Sequence, residues 1–196
     1  MLKRIVNMFV RPYDEWGVIL NEPATVRGMM FPYAVVLSGV VPLFSAVFEL
    51  AAFKPTADFS WPQGILAIVI GIGLAWGLSL LMAVVLAFVI GQVSDRFGGK
   101  GDTVQAYKVA VYSLTIPWLS GLASFIPFVG GIVGFALTIY GLYVLYLGLH
   151  RLMRIPAAQR LITTFCVLLG QFLLMVAASF VTFFVAGLII NLFSAA

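Results

Sequence analysis

The apolar positions of this 196-residue chain fall into five long runs separated by short polar stretches. A hydrocarbon layer about 30 Å thick is crossed by about 20 helical residues. The runs at 33–53, 65–91, 106–125, 128–149 and 161–193 all reach that length. The second carries no charge, while the third holds Lys108 in its first turn and Pro117 near its middle. The fourth follows almost at once after Pro127, so these two form an antiparallel hairpin. The fifth is longer than a perpendicular crossing requires, so it tilts or ends in the interface. Residues 1–32 have another rhythm. Ile5, Phe9, Tyr13, Trp16 and Leu20 recur at helical spacing among Lys3, Arg4, Arg11, Asp14 and Glu15, and Pro12 splits the stretch into two pieces. The pattern predicts an all-α membrane protein: a bundle of five transmembrane helices over 33–196, preceded by a short interfacial amphipathic segment over 1–32.

Composition excludes a water-soluble fold. Hydrophobic residues make up 63% of the chain and charged residues 9%, with a mean hydropathy of +1.13. Soluble domains carry about 25% charged residues. The net charge of +4 would fit nucleic acid in another setting, but here the cations lie between the apolar runs. Lys3, Arg4, Arg11 and Arg27 precede the first run, Arg96, Lys100 and Lys108 flank the second-to-third connection, and Arg151, Arg154 and Arg160 follow the fourth. Lys54 alone falls on the other side. Positive connections stay cytoplasmic. The expected topology is therefore a cytoplasmic N-terminus and a C-terminal Ala196 outside, with no cleaved signal peptide.

Little in the chain suggests catalysis. Cys166 is the only cysteine and His150 the only histidine, whereas nucleophilic catalysis needs a base oriented by a third group. Structural zinc needs several such ligands. The expectation is a non-enzymatic protein with no cofactor and no metal, whose partners are membrane lipids, other membrane proteins or a second copy of itself, not nucleic acid. Arg11, Trp16, Lys100, Arg151 and Arg154 are the candidate contacts to lipid headgroups or a partner. Lys100 lies in a glycine-rich loop, and Asp102 with Gln105 fits a capping box for the next helix. Inside the spans, Pro42 and Pro117 should kink or open their helices, and broken helices surround the substrate site in many transporters. Glu49 is the ionisable residue within a span that most invites a functional reading. Tyr112 joins these as an intramembrane candidate. Tyr140, Tyr143 and Tyr146 read as an aromatic belt. Gly73 with Gly77, and Gly130 with Gly134, read as close helix contacts.

Three stretches together resemble the Yip family, whose eukaryotic members were named as Rab-GTPase-interacting membrane proteins and which has a large bacterial branch. The first is Arg11-Pro12-Tyr13-Asp14-Glu15-Trp16 with Ile19 and Glu22-Pro23. The second is Gly98-Gly99-Lys100-Gly101 leading through Ala106 and Val109 to Tyr112-Ser113 and Pro117. The third runs from Tyr140-Gly141-Leu142 through Tyr146-Leu147-Gly148-Leu149 to Pro156. The resemblance implies five spans and a cytoplasmic N-terminus, and it carries no catalytic residues. The long N-terminal region of the trafficking members has no counterpart in the roughly 30 residues before the first run, so Rab binding is not inherited. The short form resembles the bacterial branch, which implies the bacterial cytoplasmic membrane.

Overall fold

The computed structural model describes residues 1–55 and 60–194, and the expectation for Ala196 lies outside them. Residues 2–21 form a helical hairpin of α1 (Leu2–Val10) and α2 (Pro12–Asn21). Pro12 opens α2, where its missing N–H costs nothing, and Asp14 and Glu15 sit in the first turn, where the helix dipole favours them. Thr25 caps the short turn α3 (Val26–Gly28), its Oγ1 accepting from the Gly28 N–H at 3.1 Å. A π-helical stretch, Met29–Ala34, follows, with Phe31 extended at φ −115° and ψ 121°. A residue before proline is pushed out of the helical region, and Phe31 precedes Pro32.

Helix α4 (Val35–Ala52) runs without a break through Pro42. Trp76 packs beside it, its Nε1 donating to the Val35 carbonyl and the Ser38 hydroxyl, both at 3.0 Å. Helix α5 (Trp61–Arg96) is continuous over 36 residues. After the 97–102 connection come α6 (Thr103–Ser113), α7 (Thr115–Ser120) and a 3-10 turn, Gly121–Phe125. Helix α8 (Gly130–Leu152) leads through a 3-10 turn to α9 (Arg160–Ser194), also one helix.

Among the described residues four helical segments, not five, are long and apolar enough to cross a membrane: Val26–Ala52, Trp61–Arg96, Gly130–Leu152 and Ala157–Leu188. The third run expected at 106–125 is not a continuous helix. Pro117 has no N–H to give the Ser113 carbonyl and its ring collides with that carbonyl. The helix accordingly stops at Ser113 and restarts at Thr115. The opening expected at both prolines is thus found only at Pro117. The apolarity of this run also has a different cause. All residues from Lys108 to Ile116 are buried inside the protein, and a helix enclosed on every side is apolar all round without touching lipid. By contrast α9 turns Phe172, Phe180 and Phe183 outward.

The broken segment runs antiparallel to α8 along its length. The Lys100 N–H donates to the Met153 carbonyl at 2.8 Å at one end, and Pro117 packs on Gly141 midway. At the other end a Cβ on Gly130 would fall 2.1 Å from the Ala123 carbonyl oxygen, so only glycine fits there. Hairpin α1–α2 lies on α8, and α9 packs mainly on α5.

Candidate functional site

The amphipathic hairpin is docked on the bundle. Its two helices end with carbonyls that have no intrahelical partner, and side chains of the bundle supply the missing donors. Tyr140 donates to the Phe9 carbonyl at 2.8 Å in the last turn of α1. Lys108 donates to the Ile19 and Glu22 carbonyls at 2.8 and 2.7 Å, closing the C-terminal end of α2. A cation at this position also meets the negative end of the helix dipole. Lys108 is only 2% exposed, so its charge is held by these carbonyls rather than by water.

Trp16 anchors the middle of the hairpin. Its ring is fully buried, its Nε1 donates to the Val144 carbonyl at 3.1 Å, and it lies against Gly148. Trp16, a candidate contact to headgroups or a partner, is here buried within the protein, where the apolar face of α2 packs against α8. Tyr140 likewise serves as a donor to the hairpin, and Phe9 stacks beside it.

Above these anchors sits an ionic network built on Arg4. Its Nε donates to Glu15 Oε1 at 3.2 Å and its NH1 to the Tyr112 hydroxyl at 2.8 Å, and its NH2 pairs with Glu22 Oε2. Asn7 Nδ2 donates to the second Glu15 oxygen at 2.7 Å. Burial works against the Arg4 charge, yet Tyr112, Glu22 and Glu15 outweigh it, so this guanidinium holds its proton more firmly than an ordinary arginine. Tyr33 packs edge-on against Tyr112 at 5.0 Å and shares a 2.7 Å hydrogen bond with Thr115. The network lines a cleft of about 520 Å³ between the hairpin and the start of the first long apolar segment.

The other candidates scatter. Arg151 stacks on Tyr13, its Cζ 4.0 Å from the ring centroid, so it fastens α8 to α2. Arg11 is exposed at the hairpin bend, and Lys100 and Arg154 are exposed where the 97–102 connection meets the exit of α8. Glu49 is exposed and edges a shallow crevice of about 260 Å³ with Pro42, Ser45 and Gly71. Asp102 caps α6, accepting from the Gln105 N–H at 2.8 Å, but Gln105 Oε1 has no partner, so only half of the capping box forms. Of the intramembrane candidates only Tyr112 enters the network. Sequence reasoning missed Arg4, Asn7, Glu15, Glu22, Tyr33 and Lys108. One signal was available: a lysine inside an apolar run must find a partner, and Lys108 does so in α2.

Long apolar helices in a wholly helical set of described elements, with phenylalanines facing outward, define a multi-pass integral membrane protein. Residues 6–179 match the Yip1 domain, and the chain belongs to that family. No curated protein and no solved structure matches it. The three stretches that resemble the family meet one another in the fold. Trp16 rests on Gly148, Pro117 on Gly141, and Gly101 against Met153, just before Pro156.

Proposed function

We propose that this chain is a non-enzymatic protein of the bacterial cytoplasmic membrane that acts through lipid or protein contacts made at the α1–α2 hairpin. The observation that carries this reading is the Arg4–Glu15–Glu22–Tyr112 network, which opens to a cleft beside the first apolar segment. Charged groups gathered at such a junction are placed to meet headgroups or a partner chain. The convergence of Lys100, Arg151 and Arg154 with the hairpin supports a cytoplasmic location for this end and an outer location for Lys54. The test uses purified full-length protein in liposomes, with a photocrosslinker at the exposed cleft residue Val18. Capture of lipid or protein at Val18, with lipid and ion flux equal to that of empty liposomes, is the expected result. Absence of any captured species would reject it.

A second reading, a small transporter or lipid scramblase, draws on the break that Pro117 makes between α6 and α7. It requires flux above empty liposomes and an altered rate in Glu49→Gln.

A further inference from the structure

Four charged side chains line the cleft: Lys3, Arg4, Glu15 and Glu22. The formal charges of these four side chains cancel. The charges are nonetheless unevenly committed. Both Glu15 oxygens are occupied, one by Arg4 and one by Asn7. Glu22 gives only Oε2 to Arg4 and leaves its side chain 44% exposed, so Oε1 is available as an acceptor. Lys3 is exposed and makes no ion pair among the described residues. Arg4 NH1 and NH2 each carry a second hydrogen, and the Tyr112 hydroxyl accepts from Arg4 with its own proton free to donate. The cleft thus offers several donors and, beside Arg4, one uncommitted carboxylate oxygen, Glu22 Oε1. Its rim is apolar: Pro32 lines it, and the neighbouring Phe31 is 66% exposed.

We infer that the cleft takes a phosphate ester bearing a primary amine, the headgroup chemistry of phosphoethanolamine lipids, with its acyl chains running past Phe31. Lys3, the free Arg4 hydrogens and Tyr112 donate to the phosphate oxygens, and Glu22 Oε1 accepts from the ammonium. The inference rests on the lipid-contact form of the function proposed above. Two features discriminate among headgroups. A quaternary choline has no N–H to give Glu22 Oε1, and a glycerol headgroup offers it only neutral hydroxyls, which make a weaker bond than an ammonium does. A charge-assisted hydrogen bond of this kind is a tenfold effect or more.

The experiment places the full chain in nanodiscs containing equal parts phosphatidylethanolamine, phosphatidylcholine and phosphatidylglycerol, and reads retained lipid by native mass spectrometry. The expected result is about tenfold enrichment of the ethanolamine lipid over both others. Glu22→Gln keeps a carbonyl oxygen for Arg4 and should bring the three lipids to near parity. Lys3→Ala, at an exposed position without an ion pair among the described residues, should weaken all three lipids alike while the hairpin stays docked. Equal retention of ethanolamine and choline lipids by the unaltered protein, or an undiminished preference in Glu22→Gln, overturns the assignment. Displacement of the lipid by millimolar O-phosphoethanolamine would move the ligand from the membrane to solution and overturn it as well. If the preference is absent while Val18 still crosslinks to lipid or protein, the headgroup assignment alone falls. If nothing crosslinks, the functional reading falls with it.

Discussion

The seat of Trp16 on α8 gives the sharpest prediction. Adding one methyl group by Gly148→Ala places a Cβ 2.6 Å from Trp16 Cζ2 and 2.9 Å from both Cε2 and Cη2. These are atoms of a rigid ring, not the end of a flexible chain. The ring cannot slide away cheaply, because its Nε1 is bonded at 3.1 Å to the Val144 carbonyl one turn earlier on the same helix. Overpacking of this kind costs about 1–3 kcal/mol. The strain is relieved when the hairpin lifts, so the opening equilibrium of residues 2–21 should rise by about 5-fold to 150-fold. Hydrogen exchange of the full chain in nanodiscs reads this directly: α2 loses protection while α5 keeps it. Trp16→Ala alone should cost about 3–5 kcal/mol of docking, since a buried indole is lost. In the Trp16→Ala background the clash no longer exists, and Gly148→Ala should then cost almost nothing. Additivity of the two substitutions within about 0.5 kcal/mol would refute the reasoning, because residues in contact must couple. Unchanged α2 exchange in Gly148→Ala would do the same.

Lys108→Met preserves length and apolar packing but strips two donors from the Ile19 and Glu22 carbonyls; unsatisfied carbonyls cost about 1–3 kcal/mol each, so chemical denaturation in detergent should show a clear loss of stability, and an unchanged midpoint would mean that water replaces the lysine. Asp102→Ala removes the acceptor for the Gln105 N–H at the start of α6; a lost N-cap costs about 0.5–2 kcal/mol, to be seen as faster exchange confined to the first turn of α6, with Asp102→Asn close to the unaltered protein.

Some of this molecule could be read from residue order alone. Segments as apolar as 65–91 and 161–193 must leave water, and with no solvent to satisfy their backbone they can only be helices. Both are single helices in the fold. The division of the N-terminal segment at Pro12 and the capping of α6 by Asp102 follow from backbone chemistry local to those residues. Hydropathy fails at 106–125 because it records how apolar a residue is, not what covers it. Lipid and a protein interior are alike to that measure, and only the packing of α5 and α8 around α6, with side chains of α6 reaching the hairpin, separates them. The same limit explains the site. Arg4 and Tyr112 are 108 positions apart, and Lys108 reaches carbonyls that no side-chain pattern marks. Trp16 follows the same rule: its spacing places it on the apolar face of α2, but what that face meets was settled by a glycine on α8, where the absence of a side chain makes room for the ring. Periodicity fixes which face of a helix is apolar, whereas the partner of that face depends on contacts between distant segments, which exist only once the chain has folded.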